Sequence, residues 1–232
     1  WSQGGASTIA AASLPEYQAQ QGTAADNLEY LGFVALAPED VAAVIPKVPT
    51  DEVEANKIMD GFTAANVPNV FLFAHFMMGL WGAQAAFPDL QLTDILTDEG
   101  AKVADQLSRN KCVHVMADSF SYAYGDQYKS LINPQPSNAT AWLKAFIEGS
   151  VKPVKPVAPV VIYWGTKDTA VPPIMHEIYQ KQMCNMGANV GRIQLPGEQT
   201  HFTTPGVSAP MYFEWIKDRI AGKTMANACP QN

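Results

Sequence analysis

The last third of the chain restricts the fold most, because short apolar runs there alternate with stretches long enough to be helices. Val160 to Trp164 is a β-branched and aromatic run stopped by Gly165, and Val190 to Leu195 is a second such run stopped by Pro196-Gly197. Between them Pro172-Pro173 opens a predicted helix that extends through Met186, with Gly187 at its C′ position. After them Ser208 is expected to N-cap a final helix with Pro210 in its first turn. Met211, Tyr212, Trp215, Ile216 and Ile220 would lie on its apolar side, and Gly222 would end it. Strands separated by helices pair in parallel, so this region predicts an α/β fold whose sheet is covered by helices.

The earlier chain extends that pattern and then leaves it. Gly4 to Ser13 is a run of small residues suited to a helix packed close to a neighbouring backbone, ending before Leu14-Pro15. Leu28 to Leu36 reads as a buried strand closed by Ala37-Pro38. From there the segments are helical, including Asp51 to Ala64, Pro68 to Ala86, Thr93 to Arg109 and Thr140 to Gly149, until a Pro-punctuated linker over Val151 to Pro159. The predicted organisation is therefore a core from residues 1–38 and 151–232, with residues 39–150 inserted as a helical domain.

With 47% hydrophobic and 16% charged residues, the chain has the profile of an ordered globular protein. Its net charge of −7 and the lack of a dense Lys/Arg run argue against nucleic acid as a partner. Apolar stretches such as Val70 to Ala74 and Phe76 to Trp81 fall short of the roughly 20 residues that span a bilayer, so no transmembrane segment is expected. The chain opens at Trp1-Ser2 without an apolar leader, which places any signal peptide upstream. Three cysteines, Cys112, Cys184 and Cys229, leave one odd if two pair, as in a secreted protein with a partner cysteine elsewhere; three reduced thiols in a cytosolic protein are the alternative. Asn138-Ala139-Thr140, an N-glycosylation acceptor in a loop-like setting, favours secretion. His75, His114 and His176 lack paired metal-ligand spacing and the cysteines lack C-x-x-C, so neither a metal nor another cofactor is expected.

Three residues point to chemistry. Ser2 stands in Ser-Gln-Gly-Gly, the second half of a G-x-S-x-G nucleophile elbow, where small residues allow the tight strand-to-helix turn that exposes a serine hydroxyl. The half-motif is weak alone, since a helix N-cap serine looks the same. Asp168 follows the first predicted strand of the last third and His201 follows the second, which reproduces the chain order Ser, Asp, His of an α/β-hydrolase. In that reading Ser2 is the nucleophile, His201 the general base and then acid, and Asp168 the group that orients the imidazole. The backbone N–H of Gln3, at a helix start, would be one oxyanion donor.

At Trp1 to Gly5, Ala158 to Asp168 with Val171-Pro-Pro173, Cys184 to Val190, and His201 with Trp215 to Arg219, the chain resembles the secretory lipase family of α/β-hydrolases. The resemblance implies a secreted serine carboxylic ester hydrolase that works through an acyl-enzyme on lipid or acetylated small-molecule esters. It also implies a helical cap with an acyl-binding cleft, which suits Phe76, Met77 and Trp81, although burial inside the cap suits each of them too. A Cys184–Cys229 disulfide fits the family's C-terminus. The family's fold has about five strands before the nucleophile, so this chain would be the C-terminal portion, with the last three. An N-terminal half would complete it, either as a separate chain linked through Cys112 or as sequence preceding an excerpt. The rival readings are an acyltransferase or peptidase on the same fold, because the triad does not specify acceptor or leaving group, and a non-catalytic hydrolase-like binding module.

Overall fold

The computed structural model describes residues 1–14, 29–45, 47 and 49–230. The chain divides into two compact units, Trp1–Val44 with Ser150–Asn232, and Ile45–Gly149.

The first unit is built on a three-stranded parallel sheet of β1 (Phe33–Leu36), β2 (Val160–Trp164) and β3 (Val190–Gln194), in that spatial order. Phe33 is in register with Val160, and Val160 with Val190. Because alternate residues of a strand face opposite ways, β2 supplies two cores. Val160 and Ile162 pack with Ile9 and Ala12 of α1 (Gln3–Ser13) and with Tyr179 and Met183 of α8 (Pro173–Asn185). Val161 and Tyr163 face the other way, against Val207, Met211, Tyr212 and Trp215 of α9 (Thr204–Ile220). Helices on both sides of a parallel sheet make this unit an α/β fold. A short turn of helix, α2 (Val41–Val44), follows β1.

The second unit is helical: α3 (Glu52–Asn66), α4 (Val70–Ala86), α5 (Asp98–Asn110), α6 (Val113–Tyr124) and α7 (Ala139–Gly149), with 3₁₀ turns at Leu92–Asp94 and Gly125–Leu131. Among the described residues, its only β contact is an isolated bridge between Leu96 and Ile132. Helix α4 is apolar around most of its circumference and buries Phe73, Ala74, Phe76, Met77 and Leu80. Its Phe73 meets Phe120 and Tyr128, each with ring centroids 4.9 Å away. Glu52 ties α3 to α7 by accepting from the Ala139 and Thr140 N–H groups and the Thr140 hydroxyl.

Several boundaries differ from the sequence reading. The expected strand from Leu28 shortens to Phe33–Leu36, beginning where the Phe33 N–H reaches the Pro159 carbonyl; Leu28 and Pro15 lie outside the described residues. The helix expected over Thr93 to Arg109 is interrupted at Ile95–Thr97. There the chain turns to bridge Ile132, and Thr97 caps a new helix through the Gly100 N–H. The final helix starts at Thr204, not beyond Ser208. The Thr200, Thr203 and Thr204 hydroxyls bond within the preceding turn, Pro205 takes the first-turn position, and Ser208 is buried inside the helix, donating to the Pro205 carbonyl. Pro210 consequently lies within α9.

Candidate active site

Strand direction places the three candidate groups at one edge of the sheet. The Ser2 N–H donates to the carbonyl of Leu36, the last residue of β1, at 2.9 Å. Asp168 lies four residues past the end of β2 and His201 seven past the end of β3. In an open parallel sheet this carboxyl edge is where loops gather to form a site.

Ser2 immediately precedes α1 with φ 58° and ψ −125°, a conformation that L-residues with a side chain avoid. The elbow needs one glycine, at Gly5: a Cβ there would lie 2.9 Å from the Leu36 carbonyl oxygen. Among the described residues, nothing lies within 4 Å of a Cβ at Gly4, so the close approach falls one residue later than a G-x-S-x-G pattern implies. Gln3 is the first residue of α1, and an N–H at that position has no carbonyl four residues back to bond.

Asp168 and His201 form a buried pair. Asp168 Oδ2 and His201 Nδ1 are 2.7 Å apart, and the two residues are 6% and 5% exposed. Asp168 Oδ1 accepts the N–H groups of Ala170 at 3.0 Å and Val171 at 2.8 Å, so every oxygen of the carboxylate is engaged. A carboxylate that only accepts requires the proton on Nδ1, which leaves the Nε2 lone pair as the basic site.

The two loops meet through backbone. Lys167 N–H donates to the Gln199 carbonyl at 2.8 Å, and a Cβ on Gly165 would lie 2.3 Å from that same oxygen. Glycine at the end of β2 is thus what lets the aspartate loop and the histidine loop touch.

Trp1 links the serine side to the histidine. Its indole N–H donates to the His201 carbonyl at 3.1 Å, and its ring lies 4.9 Å, centroid to centroid, from the imidazole. Phe202 meets the imidazole edge-on at 5.6 Å. Neither Trp1 nor Gly165 stood out as a site residue in the sequence. The signals were a bulky aromatic directly before the elbow serine and a glycine directly after a buried strand. No hydrogen bond joins Ser2 to His201, and the Ser2 hydroxyl has no hydrogen-bonding partner among the described residues.

The other candidate residues fall as follows. Phe76 and Met77 are interior to the helical unit, at 5% and 0% exposure, where they pack and do not line an open surface. Trp81 donates from its indole to Asp105 at 2.9 Å and stacks under Arg109. Cys184 and Cys229 form a disulfide with Cα atoms 5.7 Å apart, and Cys112 is an exposed free thiol. Asn138 is exposed with φ 56°, and its side-chain amide donates to Asp94 at 3.2 Å. Among the described residues there is no cluster of three metal-ligating side chains, and no helix is long and apolar enough to cross a membrane.

Comparison with known proteins agrees in one direction. The fold resembles that of Candida antarctica lipase A in its closed state, with a TM-score of 0.68 and 22% identity over 98% of this chain and 49% of that one. A ligand-bound form of the rice cell wall degrading esterase LipA from Xanthomonas oryzae gives a TM-score of 0.68 at 14% identity, covering 97% of this chain and 57% of that one. The chain therefore spans about half the length of the solved structures it matches. No curated protein sequence matches it significantly. The family model for secretory lipases matches residues 63–228, most of the chain, and the chain belongs to the secretory lipase family.

Proposed function

We propose that the protein is a secreted serine ester hydrolase in which Ser2, His201 and Asp168 form a catalytic triad acting on carboxylic esters, lipid or acetylated small-molecule. The observation that carries this reading is the buried 2.7 Å contact between Asp168 and His201, which makes Nε2 the base, held by Trp1 beside a serine in a strained backbone conformation. In the acylation step Nε2 takes the Ser2 proton as Oγ attacks the ester carbonyl. The Gln3 N–H stabilises the oxyanion, and the imidazolium, stabilised by Asp168, protonates the departing alcohol. Water, activated by the same nitrogen, then releases the acid and restores Ser2.

The missing Ser2–His201 hydrogen bond is compatible with this sequence of steps. Such bonds are commonly long in unliganded enzymes and tighten with substrate, and a turn about the Ser2 Cα–Cβ bond re-aims the hydroxyl without moving the backbone.

The test is labelling of the full-length protein by a fluorophosphonate, together with rates on p-nitrophenyl esters of varied acyl length and on the matching amides. Labelling lost in Ser2→Ala, and ester turnover lowered by on the order of 10³-fold or more in Asp168→Asn, are expected. Undiminished ester turnover in Ser2→Ala would overturn the assignment, and amide turnover exceeding ester turnover would favour a peptidase.

A further inference from the structure

The loop that carries Asp168 leaves the sheet at Trp164 and re-enters regular structure at Pro173. One side chain from the neighbouring strand reaches both ends of it. The Arg192 guanidinium lies 5.0 Å from the centroid of the Trp164 ring. It donates from Nη2 to the Pro173 carbonyl at 3.2 Å and from Nε to His176 Nδ1 at 3.0 Å, both in the first turn of α8. A 3.4 Å contact with Glu177 adds little, because that carboxylate is 60% exposed.

Within the loop, the carboxylate is bound to its own backbone through Ala170 and Val171. Asp168 therefore moves with the loop, and a shift of the loop relative to the sheet carries Oδ2 away from His201. We propose that Arg192 is a positioning residue for the Asp168 carboxylate, closing the mouth of the Asp168 loop and so setting the distance between Asp168 and His201. The inference rests on the triad reading above.

A purely structural role fits the cluster poorly. His176 is 1% exposed, and among the described residues its Nε2 is buried without a hydrogen-bond partner, as is the Trp164 indole nitrogen. A buried guanidinium carries a desolvation cost that well-packed apolar residues of similar size avoid. An arrangement that leaves two donors unsatisfied and takes most of a cation out of water, the Arg192 side chain being 13% exposed, is therefore a poor choice for stability. A planar fork that bonds a carbonyl and an imidazole while stacking on an indole defines a position closely, which an ammonium does not. Burial first, and the Arg192 charge second, hold the His176 imidazole down at about 3 against the opposing effect of Asp168, so it stays a neutral acceptor at physiological pH.

The test uses the full-length enzyme, with the double variant Arg192→Met/His176→Leu, which removes the cation without stranding the imidazole, and Arg192→Lys. The measurements are kcat, KM, the pH profile of kcat/KM and the thermal midpoint. For the double variant, kcat should fall on the order of 10- to 100-fold with KM within about twofold, the size of effect expected for a displaced catalytic group. The acid limb of its pH profile should move, its thermal midpoint should stay level or rise, and Arg192→Lys should recover part of kcat. A double variant with wild-type kcat and an unmoved limb would overturn the proposal, as would a loss of kcat that only follows a lowered midpoint. If the double variant does not fold, Arg192→Lys decides: reduced kcat and a moved limb at an unchanged midpoint support the proposal, and wild-type kinetics overturn it. Asp168→Asn runs alongside, since full activity in that variant sinks the triad reading instead.

Discussion

At Gly165 the absence of one methyl group decides whether two loops can meet. A Cβ there would lie 2.3 Å from the carbonyl oxygen and 2.7 Å from the carbonyl carbon of Gln199, main-chain atoms two residues before His201. Gly165→Ala should therefore cost about 1–3 kcal/mol of stability, as overpacking generally does, and lower kcat by pushing the histidine loop off the aspartate. Urea denaturation and ester kinetics on the variant check both effects, and a loss of stability at unchanged kcat would place the strain elsewhere. At this scale the sequence offered candidates: Ser2, Asp168 and His201 came from their chain order and from the strands before two of them, and the structure brings Asp168 and His201 into contact. What it withheld was contact. That a tryptophan one residue before the serine would bond the His201 backbone depends on two segments 200 positions apart.

Glu52 shows how a single carboxylate joins elements. It accepts from the first turn of α7 while standing in the first turn of α3, and the Thr140 hydroxyl, before other contributions, holds its pKa below the ordinary glutamate value. A carboxylate whose folded value is depressed stabilises the fold above the unfolded value, and the contribution is lost as pH falls through the folded value. The thermal midpoint should thus drop as pH falls below the ordinary glutamate range, and Glu52→Gln should flatten that part of the dependence. A pH series of melts on both proteins checks this; because Glu52 is near the surface, the change will be modest. The existence of these helices was readable as helical segments from Asp51 and from Pro68; that the Asp51 and Asn69 side chains cap α3 and α4 came from the structure. Helix starts were less so. The sequence pointed to Ser208 as the cap of the last helix, whereas the helix follows Thr203, after a turn bonded by threonine hydroxyls, and Ser208 is buried within it at 0% exposure.

For the molecule as a whole, the Cys184–Cys229 bridge holds the C-terminal segment against the edge strand β3, closing a separation of 45 residues. Asn189 bonds the Met225, Ala226 and Ala228 backbone on the same side. Loop-closure entropy alone predicts that Cys184→Ser/Cys229→Ser costs about 4 kcal/mol. Urea unfolding of the oxidised protein against the variant tests this, and equal midpoints would show that the packing on β3 holds the segment by itself. The sequence alone determined the α/β class of the fold, because the alternation of apolar runs with the turn residues that stop them is a property of neighbours along the chain. Only the tertiary structure decided which backbone atoms meet at Gly165, that Phe76 and Met77 are interior, and that Arg192 spans the Asp168 loop. Those facts depend on distances between segments remote in sequence, which are set by the mutual packing of strands and helices and by no residue's local preference.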